Sequence, residues 1–268
     1  MKTKYPFNID KLNTYSYFCG MAKMSLLFLG SKPIGYHCLH YLIQEKDKLN
    51  LEIVGLLTND NPRFGDETSI LKLANQHQIP VIDNLDEMPS VDYIYSVQYH
   101  EILKAEHIMK ARKLAINLHM APLPDYRGCN QFSFAIAENK KEFGTTIHVM
   151  DNGIDHGDIL FEKRFPISTN CWVNELYQQT FDASLDLFIE TIRDILNENF
   201  IRLPQKDLVN TRGTSIHYRS EIQQLKQIDL SWEQEKIERY IRATYMPGFE
   251  PPFTLVEGEK LYFTKNWA

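Results

Sequence analysis

Ser25-Leu26-Leu27-Phe28-Leu29-Gly30-Ser31 is a short unbroken apolar run closed by a glycine and a serine. That is too short for a core helix and ends on turn residues, so it reads as a buried strand. Directly after it Ile34, Cys38, Tyr41 and Leu42 fall on one face of a helix. The alternation continues: a strand over 51–57, a polar loop over 58–67, a helix over 69–78 and a short strand at Ile79-Pro80-Val81. A strand over 93–97 then leads into Gln98-Tyr99-His100, followed by a helix over 101–111 and a strand over 114–117. Strands alternating with helices at these lengths predict right-handed βαβ units, hence an α/β fold with a mainly parallel sheet flanked by helices.

Beyond that core, 159–167 reads as extended, and an amphipathic helix over 172–197 carries Leu176, Thr180, Ala183, Leu187 and Ile192 inward. From about Pro204 the chain turns to short polar pieces, a helix over 234–244, the loop Met246-Pro247-Gly248-Phe249, and a hairpin over 255–263 around Glu257-Gly258. The division expected is a flexible leader at 1–23, a catalytic domain at 24–203 and a small C-terminal helix-plus-hairpin extension at 204–268. Asn8, Asp10, Lys11 and Asn13 interrupt any apolar core of a signal peptide in the leader.

The 268 residues, 43% hydrophobic and 24% charged, exclude a wholly disordered chain. A net charge of −6 argues against an extended nucleic-acid surface. No apolar stretch approaches the ~18 residues a membrane span needs. Cys19, Cys38, Cys129 and Cys171 show no paired or metal-ligand spacing, which points to free thiols in a reducing cytoplasm and to no metal.

The chemistry concentrates at Asn117-Leu118-His119, at the end of the run Leu114-Ala115-Ile116. In a strand, a spacing of two puts Asn117 and His119 on one face. Asp155 follows in the turn-rich segment Gly153-Ile154-Asp155-His156-Gly157-Asp158. An amide donor, an imidazole and a carboxylate together suit acyl transfer: one polarises a carbonyl, one moves protons, one orients the imidazole. Singly, each has a plainer reading as a turn former or satisfied strand-end residue, and Asp158 competes with Asp155 for the carboxylate role. Leu29-Gly30-Ser31-Lys32-Pro33-Ile34-Gly35 matches neither phosphate-loop pattern, yet a strand–turn–helix can still hold an anion.

Asn117-Leu118-His119-Met120-Ala121-Pro122-Leu123-Pro124-Asp125-Tyr126-Arg127-Gly128 resembles the Asn-x-His-x-Ser-x-Leu-Pro-x-Tyr-Arg-Gly signature of formyltransferases that use N10-formyltetrahydrofolate. Gly144-Thr145-Thr146 through Asp155-His156-Gly157-Asp158-Ile159 is similar to that family's second motif. Ala121 departs from the signature's Ser. The resemblance implies a Rossmann-like fold with Asn117, His119 and Asp155 as the catalytic triad. It also implies N10-formyltetrahydrofolate as co-substrate, held by Gln98, Tyr99, Ile102 and Leu103 on one side and Met150, Asp151 and Gly153 on the other.

Within that family, the 68 residues after position 200 and the acidic balance fit poorly with a methionyl-tRNA acceptor. Leu230-Ser231-Trp232, Arg242-Ala243 and Pro247-Gly248-Phe249 look like the branch that formylates nucleotide-linked amino sugars. A dideoxy amino sugar on dTDP is expected, with UDP and GDP as other carriers. Gly30, Ser31 and Lys32 are expected at the sugar or its phosphate, Tyr218, Arg219 and Phe249 at the base and pyrophosphate, and Arg127 among the substrate-binding residues. The branch further implies a cytoplasmic homodimer without nucleic-acid or membrane partners, serving surface polysaccharide such as O-antigen. Methionyl-tRNA formyltransferase and formyl-tetrahydrofolate hydrolase are the competing activities, and a non-catalytic binding module the competing class.

Overall fold

The computed structural model describes residues 22–59 and 65–264. Most of the expected leader, and part of the loop expected over 58–67, lie outside the described residues. Strand β1 (Met24–Gly30), helix α1 (Lys32–Glu45), strand β2 (Leu51–Thr58) and helix α2 (Ile70–Gln76) form the first half-turn of the fold. Strand β3 (Val91–Val97), helix α3 (Ala105–Ile108), strand β4 (Ala111–His119), the two-residue β5 (Arg127–Gly128) and helix α4 (Gln131–Ala137) follow. Strands β6 (Glu142–Val149) and β7 (Ile159–Pro166) then precede the long helix α5 (Val173–Leu196).

The main sheet has the order β2-β1-β3-β4-β6-β7. Pairings among β2, β1, β3 and β4 are parallel, whereas β4–β6 and β6–β7 are antiparallel. The sheet is therefore mainly parallel, as the alternation implied, with an antiparallel flank that βαβ reasoning alone does not foresee.

The continuous apolar run of β1 has a direct cause. Leu26 and Phe28 pack with Ile34, Leu39, Leu187 and Phe188 on one side. Leu27 and Leu29 pack with Leu57, Leu85 and Ile94 on the other. A parallel strand covered on both faces has no polar side to alternate. On β4 the same parity sends Leu114, Ile116 and Leu118 into the first layer and Ala115 into the second. Asn117 and His119 share the parity of Ala115, so they emerge together at the strand's C-terminal end.

Two sequence expectations are corrected. The helix over 101–111 is only the four residues of α3, because Ala111 already pairs with Val91 as the start of β4. Pairing with β3 outweighs a helical pattern that rested on local charges. The strand at 79–81 reduces to a single bridge between Leu56 and Val81.

After α5 come helix α6 (Val209–Arg212), β8 (Ile216–His217), helix α7 (Ile222–Lys226), helix α8 (Gln234–Thr244) and the hairpin β9 (Phe253–Val256) with β10 (Glu259–Tyr262). The hairpin turns at Glu257 and Gly258, both at positive φ (53° and 89°), the backbone a tight two-residue turn demands. Helix α8 joins the body through Ala243, buried with Tyr126, Ala135, Ile136, Phe143 and Leu176 in a third apolar cluster. Among the described residues no helix is long and apolar enough to cross a membrane. Cys38, Cys129 and Cys171 are free.

Candidate active site

Asn117, His119 and Asp155 meet at the C-terminal end of β4. Asn117 Nδ2 donates to Asp155 Oδ1 at 3.2 Å. His119 Nδ1 lies 3.6 Å from Asp155 Oδ2. The Gly128 backbone N–H donates to the same Oδ2 at 2.9 Å. The Asp158 carboxylate has no part in this cluster; Asp158 instead offers its backbone oxygen to Val149 N at 2.9 Å.

A fourth side chain completes the group. In the β4–β6 register Asn117 stands opposite His148. His148 Nδ1 sits 2.9 Å from Val149 O, so that nitrogen carries the hydrogen. When neutral, His148 accepts at Nε2 from Asn117 Nδ2 at 3.2 Å; when protonated, it pairs with Asp155 Oδ1 at 3.4 Å. On His119, Nε2 donates to the Tyr126 carbonyl at 2.9 Å. That leaves Nδ1, facing Asp155, as the atom that gains or loses a proton.

Burial alone would raise the pKa of Asp155. The charges on His119 and His148, the His148 hydrogen bond and the Gly128 amide outweigh it and hold the carboxyl well below the usual carboxylate range. Asp155 is thus held ionised beside a buried imidazole. Such a pair can stabilise an imidazolium and carry a proton between two reacting groups.

Two glycines make this possible. Gly128 has φ +86°, and a Cβ there would overlap His217 O in the β5–β8 bridge. At Gly157 a Cβ would overlap Val149 O, where the 150–158 loop folds back on β6. Gln205 Nε2 fixes the same loop by donating to Asp155 O at 2.9 Å and Gly157 O at 2.8 Å. Gly157→Ala is expected to force loop and strand apart and to lower unfolding stability by about 1–3 kcal/mol, read as a lower urea midpoint.

The residues assigned to the folate divide. Tyr99, Leu103 and Met150 gather in one apolar cluster on the second face of the sheet. Tyr99 OH donates to Glu101 Oε1 at 3.1 Å. Asp151 accepts from Gly153 N at 2.8 Å and pairs with His156 Nδ1 at 2.7 Å, shaping the loop rather than facing the cluster. Ile102 stands apart in solvent, 73% exposed. Gln98, at φ 54°, turns instead to Lys32: Lys32 Nζ donates to Gln98 Oε1 at 2.7 Å.

That bridge spans the ends of β1 and β3, where strand order reverses and α/β sheets leave a crevice. Gly30 ends β1 there, and Ser31 N donates to Val97 O at 3.1 Å. The buried Ser31 Oγ has no hydrogen-bond partner among the described residues. Lys32 reaches solvent, but surrounding protein lowers its amine's pKa; Cys129 opposes that shift and the Arg219 charge adds to it. Arg219 and Tyr218 are tied to the same rim, their carbonyls accepting from Asn130 Nδ2 at 3.4 and 3.0 Å. Arg127 donates to Thr214 Oγ1 at 3.3 Å. Phe249 is half exposed in the turn after α8, its N–H bonded to Met246 O at 3.1 Å. Ala121, which replaces the signature's Ser, is buried, and its carbonyl accepts from Thr146 Oγ1 at 2.8 Å.

Sequence reasoning did not find His148 or Gln205. His148 carried a signal only in its alternation along β6, which means nothing until the antiparallel register with β4 is known. Gln205 lies 50 residues from Asp155 and carried none.

A family model described as formyl transferase matches residues 41–192. A GDP-perosamine N-formyltransferase of Brucella melitensis is 29% identical over 175 residues, 64% of this chain and 63% of that protein. The matched region thus spans less than two thirds of that relative. A methionyl-tRNA formyltransferase of Alkaliphilus oremlandii is 26% identical over 258 residues, 91% of this chain and 80% of that protein. Among solved structures, an N-formyltransferase from Helicobacter canadensis in complex with folinic acid and dTDP-3-aminofucose superposes with a TM-score of 0.72 at 26% identity, covering 88% of this chain and 86% of that one.

Proposed function

The chain belongs to the formyl transferase family, and from that premise we propose that it transfers a formyl group from N10-formyltetrahydrofolate to the amino group of a nucleotide-linked amino-dideoxy sugar, with dTDP as the carrier. The observation that carries the reading is the buried Asn117–His119–Asp155 cluster, in which the imidazole's one free nitrogen faces a carboxylate kept ionised. A folate fits beside it in chemical terms: Tyr99, Leu103 and Met150 offer an apolar bed for the pterin. The folate supplies the formyl carbon at the oxidation level of formate.

The chain's own residues do the rest. Asn117 presents its amide N–H to the formyl oxygen that becomes negative as the amine attacks, exchanging a bond now made to Asp155 or His148. His119 Nδ1 takes the proton from the attacking amine and returns it to the departing folate nitrogen. Asp155 holds the resulting imidazolium by charge. Tyr126 O and the Gly128 amide keep ring and carboxylate in place.

The sugar acceptor is supported by the neighbouring cations Lys32 and Arg219, and by likeness to proteins named for GDP-perosamine and solved with dTDP-3-aminofucose. Likeness to a methionyl-tRNA enzyme keeps that acceptor as the second reading. The test is tetrahydrofolate release with dTDP-, UDP- and GDP-linked amino sugars, with charged methionyl-tRNA, and with no acceptor. The proposal expects release that depends on a dTDP-linked sugar. Acceptor-independent release would mean a hydrolase, and release only with the tRNA would move the chain to the second reading.

The protein is further proposed to act as a cytoplasmic homodimer whose product enters a surface polysaccharide. Leu255, Val256, Leu261 and Tyr262 leave the C-terminal hairpin with four exposed apolar side chains, an unusual surface for an isolated two-stranded unit. Leu261→Asp is expected to convert dimer to monomer in sedimentation velocity; an unchanged sedimentation coefficient would remove the hairpin from the interface.

A further inference from the structure

Arg239 and Arg242 lie three residues apart on α8, so their side chains leave the same face. That face closes over a cleft made with the end of α4 and the turn after β7, lined also by Lys140, Lys141, Ser168 and Thr169. Among the described residues no carboxylate lines it, in a chain whose net charge is −6.

Three of the four cations have partners. Lys140 Nζ pairs with Asp125 at 3.2 Å and Glu138 at 3.9 Å, and Lys141 Nζ donates to the neutral amide oxygen of Asn139 at 2.9 Å. Arg239 donates from Nε to Ala137 O at 3.0 Å and pairs with Glu235 at 3.6 Å. Arg242 differs. Among the described residues its buried Nε has no hydrogen-bond partner, and the Cys171 thiol is its electrostatic neighbour. A guanidinium cannot shed its charge, so a buried N–H with nothing to donate to is an unmet demand for an acceptor.

We propose that this cleft binds a phosphate group, held by the Arg242 fork with Lys141 and the hydroxyls of Ser168 and Thr169. The planar guanidinium matches phosphate oxygens in pairs, and Lys141, bonded only to a neutral amide, keeps its charge for the anion. The enclosed part of the cleft is small, so the anion sits at its open mouth, where a single phosphate group and not a whole nucleotide meets the lining side chains. The cleft is not the catalytic crevice. Helix α4 starts beside Gly128 and Cys129 and ends at the cleft, and its seven residues span roughly 10 Å. The inference stands independently of the formyl-transfer reading.

Inorganic phosphate and the phosphate end of a nucleotide share the chemistry that the site recognises. The experiment follows the thermal midpoint of the full chain against inorganic phosphate at constant ionic strength, with chloride as control and dTDP in parallel. The wild type is expected to be stabilised by phosphate beyond chloride. Arg242→Gln is expected to weaken phosphate binding by about tenfold or more, and Lys141→Gln to weaken it by a smaller factor, with formyl transfer in phosphate-free buffer unchanged in both. If stabilisation by dTDP also falls in Arg242→Gln, the occupant is the nucleotide's phosphate; if it persists, the occupant is free phosphate. Phosphate acting no better than chloride, or equally on wild type and both variants, would overturn the proposal. Lys141 is exposed, so its variant keeps the test decisive if Arg242→Gln fails to fold.

Discussion

His119→Ala is expected to lower the proposed formyl-transfer turnover by on the order of 10³-fold, within the 10²–10⁴ that a positioned proton-transfer group contributes, while the protein stays folded. The size of the effect follows from the geometry. Nε2 is committed to the Tyr126 carbonyl at 2.9 Å, so the imidazole is fixed in place and only Nδ1 exchanges protons. Among the described residues the other imidazole of the cluster, His148, is held by Val149 O on one nitrogen and by Asn117 or Asp155 on the other. The loss should fall on kcat more than on KM, because the imidazole is needed as charge develops rather than when substrates bind. Circular dichroism and the urea midpoint check folding, and steady-state kinetics read the loss. A variant with near-normal turnover would remove His119 from the reaction.

Asp155→Asn has the second largest effect and two signatures. Turnover is expected to drop by on the order of 10²–10⁴-fold, because the amide cannot stabilise an imidazolium at His119 Nδ1. The other signature is in stability. The folded pKa of Asp155 lies below its unfolded value of about 3.9. Its contribution is therefore fully present above the unfolded pKa and is lost as pH falls through that value toward the folded one. The wild type should lose stability on acidification from about pH 5 downward, and Asp155→Asn should show a shallower slope there. At neutral pH the variant is expected to be less stable by about 1–3 kcal/mol, since the Gly128 N–H then faces a weaker acceptor. Equal acid slopes would mean that the carboxylate is not held ionised by this network.

Much of this arrangement was legible in the sequence, for identifiable reasons. Parity along a strand is a local property, so Asn117 and His119 sharing a face follows from their spacing once 114–117 is a strand. The apolar run at Leu26–Leu29 marks a strand buried on both sides, and from it the α/β class follows. What stayed hidden depends on chain segments distant in sequence or on the backbone. The Gly128 amide and the Tyr126 carbonyl have no side-chain signature. His148 needed the register of β6 against β4, and Gln205 needed the path of the segment after α5. The helix expected over 101–111 failed because strand pairing at Ala111 decided where β4 begins. Ile102, grouped with the folate by its place in the chain, is exposed.

Five of the ten positive-φ non-glycine residues among the described residues border the same crevice. Lys32, Gln98, Tyr126, Asn130 and Asp155 all adopt φ between 45° and 62°, a region that non-glycine residues avoid unless their surroundings impose it. They border the site at the ends of β1, β3, β4 and β6. The crevice is thus shaped by backbone that the rest of the fold holds in place.

The most direct measurement is mass spectrometry of a dTDP-linked amino sugar incubated with N10-formyltetrahydrofolate and either the wild-type protein or His119→Ala. The account predicts a sugar heavier by one formyl group with the wild type and an unchanged sugar with the variant. A sugar left unmodified by the wild type, or formylated equally by both proteins, would contradict it.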